Sequence, residues 1–103
     1  MKSHAFHPEA QVEFEAEIRF YETQRPGFGQ RFSAAVMVAI DRAREFPDSG
    51  ASERDGVRKL LTAKFPFVVY DELLDDRVLI WAIMHSARKP GYWWHRRESS
   101  FKP

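Results

Sequence analysis

The stretch RVLIWAIMH, residues 77–85, decides the fold of this chain. It is rich in the branched and aromatic residues that are typical of strands, and its centre, VLIWAIM, is apolar at every position. Because successive side chains of a strand point to opposite faces, both faces of this strand are apolar. The stretch therefore predicts a central strand that is covered on both sides.

Other short runs with a strand pattern lie around it. The runs VRKLLT, residues 57–62, and FPFVVYDELL, residues 65–74, precede the central strand, and Asp75-Asp76 predicts a hairpin turn into it. The segment SHAFH, residues 3–7, predicts an edge strand at the start of the chain. The stretch PDSGASERDG, residues 47–56, is polar and predicts a loop.

A helix with one apolar stripe is predicted for FGQRFSAAVMVAIDRAREFP, residues 28–47, because apolar residues recur with the helical period. Pro47 ends it. The stripe consists of Phe28, Phe32, Ala35, Val36, Ala39, Ile40 and Ala43.

The segment PEAQVEFEAEIRFYETQ, residues 8–24, has two possible periods. Its apolar residues alternate as in a strand, but Pro8 at a first helical position and the Glu, Ala, Gln and Arg content favour a helix. One face of that helix holds Phe14, Ile18 and Tyr21. A second apolar stripe, formed by Val12, Ala16 and Phe20, then lies on the opposite side and predicts a partner surface.

These elements predict an α+β fold of order β-α-α-β-β-β. The break RPGFG, residues 25–29, makes an N-terminal helical hairpin, which packs on one face of a small antiparallel sheet. The length of 103 residues allows one domain, residues 1–103, and residues 97–103 are predicted to be a disordered tail.

Composition excludes several classes of protein. The chain has no cysteine, so disulfides and thiolate metal sites are excluded, and no apolar run is long enough to span a bilayer. We expect a soluble, cytoplasmic protein that is not exported. The net charge is +1, but residues 1–56 carry −3 and residues 57–103 carry +4, so the second half is basic.

Few residues could carry chemistry. His4, His7, His85 and His95 lack ligand spacing, and neither a nucleophile elbow nor a phosphate-binding glycine loop is present, so no metal or cofactor is expected. The remaining candidates are cations and rings in the second half: Arg58, Lys59, Lys64, His85, Arg88, Lys89, Tyr92 and Trp93. They could form a solvated sheet face with a tail that caps the core. They could equally form a surface that binds phosphates or acidic side chains and stacks on a base or a partner.

The order of these motifs resembles a known family. The runs YETQRPGFG, FPFVVY and MHSARKPGYW, in register with the fold over residues 4–94, are similar to the ParE branch of the RelE/ParE toxins of bacterial type II toxin-antitoxin modules, often labelled plasmid stabilisation proteins. The resemblance implies the fold given above and a cognate antitoxin encoded next door. We expect that antitoxin to bind Val12, Ala16 and Phe20.

The resemblance implies two alternative activities. The RelE branch cleaves messenger RNA in the ribosome without a metal, and a ribonuclease of this kind would use Arg58, Arg88, Tyr92 and His85 here. However, Leu60 and Phe67 stand where that branch has cations that stabilise developing charge.

The ParE branch poisons DNA gyrase through a binding surface and is not a hydrolase. The resemblance therefore favours a gyrase inhibitor with no catalytic residues. Its target-binding residues would be the cations and rings listed above. An endoribonuclease acting on the ribosome and mRNA is the first alternative, and an inactive antitoxin-binding remnant is the second.

Overall fold

A computed structural model describes residues 2–89 and 91–98 of the chain. Its elements, in chain order, are β1 (Ser3–Phe6), α1 (Pro8–Gln24), α2 (Phe28–Glu45), β2 (Ala51–Arg54), β3 (Val57–Leu61), β4 (Phe67–Leu73), β5 (Arg77–His85) and α3 (Trp94–Glu98). The strands form one sheet in the order β1-β5-β4-β3-β2. The predicted α+β class, helical hairpin and N-terminal edge strand are confirmed.

The sheet is mixed, which corrects the expected antiparallel arrangement. β1 pairs with β5 in parallel, from Ser3 opposite Arg77 to Phe6 opposite Ile80. Only His7 separates β1 from α1: its backbone N–H donates to Ile80 O at 2.8 Å, and its side-chain Nδ1 accepts from the N–H of Glu9. The direction of β1 is therefore set by where α1 docks on the sheet, and the sequence of a four-residue strand does not contain that information.

A further strand lies inside the expected polar loop. β2 consists of four exposed residues that pair with β3 in an antiparallel hairpin. The turn is Asp55-Gly56, with φ of 49° and 85°. Asp-Gly is a strong signal for a tight hairpin turn, and it was the sequence feature that could have predicted this strand.

The inner face of the sheet packs against α1 and α2. Both helices contribute the apolar stripes that their periods predicted, and an aromatic cluster fills the space between hairpin and sheet. Its rings belong to Phe14, Tyr21, Phe32, Phe65 and Phe67. β5 is buried from Val78 to Met84, which confirms the central strand.

The outer face is covered by the C-terminal arm, which we define as residues 91–98. Trp93 is 1% exposed, and its ring centroid lies 4.9 Å from that of Tyr70 on β4. Residues 97 and 98, where the tail was expected to begin, lie in α3, and residues 99–103 lie outside the described residues. One helical hairpin and one short arm thus cover the two faces of β5.

A buried ion pair lies on the inner face between β3 and β4. Arg58 and Asp71 are cross-strand neighbours, with Nη2 to Oδ2 at 2.7 Å and Nε to Oδ1 at 3.1 Å. Arg58 also donates to the carbonyl oxygens of Pro47 and Ser49, so it fixes the segment between α2 and β2.

Truncation of Arg58 to alanine is expected to destabilise the fold strongly. Asp71 is fully buried, and removal of one partner of a buried ion pair costs about 3–5 kcal/mol because the other charge stays without compensation. Urea unfolding followed by circular dichroism measures this change. The double variant Arg58→Met/Asp71→Leu is the control and should recover most of the loss. Wild-type stability of Arg58→Ala would contradict a structural role for the pair.

Candidate binding surface

The edge of β5 beyond β1 is covered by side chains. β1 ends at Phe6, opposite Ile80. From Trp81 onward, the backbone N–H and C=O groups of β5 that point away from β4 therefore need other hydrogen-bond partners. Arg96 Nη1 donates to Trp81 O at 2.9 Å, and the N–H of Ile83 donates to Glu13 Oε1 at 3.1 Å. Residues of α1 and of the C-terminal arm therefore meet at this edge.

Glu13 joins these groups. Arg96 donates to its carboxylate twice, at 2.9 and 2.8 Å, and the hydroxyl of Tyr92 donates to Oε2. Burial tends to raise the pKa of Glu13, but the hydrogen bonds, first of all those from Arg96 and Tyr92, outweigh it and lower this pKa below the ordinary value. The carboxylate is consequently charged at neutral pH and holds two side chains of the arm.

Tyr92 supports an exposed cation. The guanidinium carbon of Arg88 lies 3.5 Å from the centroid of the Tyr92 ring, a stacked cation–π contact. Burial, followed by the hydrogen bond to Glu13, raises the pKa of Tyr92 well above its ordinary value. The phenol is thus a hydrogen-bond donor and a stacking platform at neutral pH, and it is poorly suited to releasing a proton.

Several predicted cations meet at one end of the sheet. The N–H of Ser86 donates to Pro66 O at 2.7 Å, which places the turn after β3 beside the segment after β5. Lys64 is exposed in the first of these segments, and Arg88 and Lys89 are exposed in the second. Lys59 lies on the outer face of β3, opposite Tyr70. We call the exposed cations Lys64, Arg88 and Lys89, together with Tyr92 and the partly exposed Lys59, the cationic surface.

Three residues expected in this surface are either buried or face the other side of the sheet. Arg58 is buried in its pair with Asp71, and Trp93 is buried on the outer face, so neither is exposed to a target. His85 is exposed but shares the inner face with Phe67, whose ring centroid lies 5.3 Å away. The sequence places all three near the cations, but strand register assigns Arg58 and His85 to the inner face and packing buries Trp93.

Sequence reasoning missed a second cation–aromatic pair. Arg54 of β2 lies 3.6 Å from the centroid of the Trp94 ring, and Arg97 binds Glu72 at 2.8 and 3.1 Å. Residues 47–56 were predicted to be a loop, so Arg54 was not expected to lie in a strand. Recognition of the Asp55-Gly56 turn would have placed Arg54 on the outer face.

The second apolar stripe of α1 is exposed. Val12 is 62% exposed, Phe20 is 53% exposed, and Ala16 between them is also exposed. Ala16 follows Glu13 by three positions, so the two are neighbours on the helix surface. The stripe therefore lies next to Glu13, whose carboxylate binds the C-terminal arm.

The part of the chain that the structure describes has neither a metal-binding cluster nor a membrane-spanning helix. Residues 2–89 and 91–98 contain no group of three His, Asp or Glu side chains that could hold a metal ion. Within the same ranges, no helix has the length and hydropathy needed to cross a membrane.

The described residues thus define a small α+β domain with a cationic, aromatic surface at one end of its sheet. The chain belongs to the ParE toxin family of type II toxin-antitoxin systems, since the family model (ParE toxin of type II toxin-antitoxin system, parDE) matches residues 5–90. The solved structure of the chromosomal ParDE TA system from P. aeruginosa has a TM-score of 0.69 at 20% identity, covering 82% of this chain and 96% of that chain. At this identity the likeness shows a shared fold. No match to a curated protein was found.

Packing and charge in this region should be separable by mutation. Trp93→Ala removes a buried ring and is expected to cost about 3–5 kcal/mol of unfolding free energy. Arg88→Ala removes an exposed cation and should change it by no more than about 0.5 kcal/mol. Urea unfolding curves of the two variants measure both changes in unfolding free energy. Equal changes would contradict the assignment of Trp93 to the core and of Arg88 to the surface.

Proposed function

We propose that this chain is a ParE-like toxin that inhibits DNA gyrase through its cationic surface, and that a cognate antitoxin neutralises it. The protein would act in the cytoplasm, where both gyrase and the antitoxin are located. The observation that carries the proposal is that three exposed cations, Lys64, Arg88 and Lys89, lie on two neighbouring segments at one end of the sheet, with Arg88 stacked on Tyr92. Such a surface can bind acidic side chains or phosphates without a catalytic group.

The alternative of a ribonuclease has less support from the same residues. Arg58 is engaged by Asp71 and backbone carbonyls, so it has no free face for a phosphate. Leu60 and Phe67, which occupy the positions of the missing cations, lie in the inner core. The pKa of Tyr92 is raised, which opposes a role as general acid.

Stacking gives the cationic surface a defined geometry. Arg88 rests on a ring whose hydroxyl is itself bound by Glu13, so the guanidinium loses less conformational freedom on binding than a free side chain would. Lys64 and Lys89 add positive charge at the same end of the sheet, which would speed the encounter with an acidic or phosphate-bearing target.

The antitoxin would bind on α1. Val12, Ala16 and Phe20 form an exposed apolar stripe at helical spacing, which fits the apolar face of an amphipathic helix. Because the stripe adjoins Glu13 and the C-terminal arm, an antitoxin bound there would lie close to Tyr92 and could shield the cationic surface from its target.

The cationic surface can be tested directly on gyrase. Arg88→Ala is expected to remain folded and to lose most of the inhibition of DNA supercoiling, because it removes a stacked cation from the contact. Purified variants in a supercoiling assay measure this effect, with trapped cleaved DNA as a second readout. Arg31→Ala, which removes an exposed arginine on α2, is the matched control and should inhibit like wild type.

Two outcomes of that experiment would contradict the proposal. Full inhibition by folded Arg88→Ala would remove the cationic surface from the mechanism. Cleavage of mRNA on ribosomes by the wild type, lost in Tyr92→Phe, would favour the ribonuclease. We expect Tyr92→Phe to stay inhibitory, since it keeps the ring on which Arg88 stacks, and Arg96 still binds Glu13 and holds the arm.

Charge in the α1 stripe should weaken antitoxin binding. Phe20→Glu is expected to reduce affinity about tenfold or more, because burial of a phenylalanine contributes roughly 1.5–3 kcal/mol and each 1.4 kcal/mol is a factor of about ten. Isothermal titration with the protein encoded by the adjacent gene measures it. Val38→Glu on α2 is the control, because Val38 is 57% exposed. A loss of affinity only in Val38→Glu would move the antitoxin site to α2.

A further inference from the structure

We infer that Glu13 of α1 is the positioning residue of the cationic surface: its carboxylate fixes the C-terminal arm so that Tyr92 presents Arg88 in one orientation. The inference goes beyond the proposed function, on which it rests for the identity of the target. It assigns a role to a residue in the acidic half of the chain, far in sequence from the surface that it orders.

The first argument is the arrangement of carboxylates on α1. Glu9, Glu13 and Glu17 are spaced by four, so they form one row along the helix. Glu9 lies 3.7 Å from His95 Nε2 and 3.8 Å from Arg96 Nε. Glu13, in the middle, receives hydrogen bonds from Arg96, from Tyr92 and from the backbone of Ile83. The central member of the row thus binds the arm and the edge of β5 together.

The second argument is the burial of Arg96. Its side chain is 5% exposed and reaches the carboxylate of Glu13 and the carbonyl of Trp81. A buried guanidinium needs its counter-charge, because an uncompensated charge away from water is strongly unfavourable. Neutralisation of Glu13 leaves Arg96 only the more distant and more exposed carboxylate of Glu9, 3.8 Å from its Nε. The hold of α1 on the α3 helix of the arm is then weakened.

The third argument is the contact chain from Glu13 to the exposed cation. Glu13 accepts from the Tyr92 hydroxyl, and the ring of Tyr92 lies against two guanidinium groups, Arg88 at 3.5 Å and Arg96 at 5.2 Å. The ring is consequently fixed at its hydroxyl and along its faces. When the arm loosens, Arg88 keeps its charge but loses the platform that orients it.

Hydrogen exchange tests the positioning without reference to any target. In Glu13→Gln, amides of residues 91–98 should exchange about tenfold faster or more than in wild type, while those of β3 and β4 keep their protection. Glu17→Gln, one turn along the same row, is the matched control and should leave exchange in the arm unchanged. Unchanged exchange of residues 91–98 in Glu13→Gln overturns the inference.

Inhibition of gyrase by the same variants then tests the consequence. Glu13→Gln should need about tenfold more protein for half-inhibition, and Glu17→Gln should not. Faster exchange in the arm with undiminished inhibition also overturns the inference. If the wild type fails to inhibit gyrase, the proposed function is wrong. The role of Glu13 is then tested by comparing growth arrest by the same variants.

A milder variant covers the case in which Glu13→Gln loosens the whole fold. If exchange in β3 and β4 also rises in Glu13→Gln, the variant Arg96→Lys tests the inference instead. It retains the positive charge but cannot bind both oxygens of Glu13 as arginine does. Faster exchange in the arm alone, together with weaker inhibition, supports the inference. Wild-type exchange and inhibition in Arg96→Lys contradict it.

Discussion

The constraint on which the structure depends is that β5 is apolar on both faces. In the described residues, one helical hairpin covers the inner face, and the segment that follows β5 covers the outer face. Trp93 does this against Tyr70. As a result, the residues that follow the last strand are part of the core packing, and the exposed cation Arg88 is attached to a segment that the core holds in place.

Among the described residues, one buried and one partly buried ion pair join distant parts of the chain. Arg58 and Asp71 join β3 to β4 and to the segment after α2, while Glu13 and Arg96 join α1 to the arm at the edge of β5. Because desolvation offsets much of the Coulomb attraction, such pairs contribute less to net stability than their distances suggest, and they fix geometry. The pair of Glu13 and Arg96 thus places the exposed stripe of α1 next to the cationic surface.

Much of the fold was predictable from local pattern. The helical period predicted α2, and Pro8 with the residue composition favoured a helix for α1, whose period was ambiguous. The run at residues 77–85 predicted the central strand, because burial requires an apolar side chain wherever a face is covered. β2 was missed since its four residues are exposed and three of them are polar, and only the Asp55-Gly56 turn signals it. The parallel direction of β1 was also missed, since it follows from the docking of α1.

The sequence by itself determined that cations and rings would be concentrated after the last strand, because composition and order along the chain are local facts. Only the tertiary structure decided which of them are exposed. Strand register places Arg58 on the inner face, and packing against the outer face buries Trp93. The β2–β3 hairpin places Arg54 against the ring of Trp94. The contact between Glu13 and the arm spans most of the chain, and no local pattern encodes it. It exists because α1 docks beside the part of the β5 edge that β1 is too short to cover.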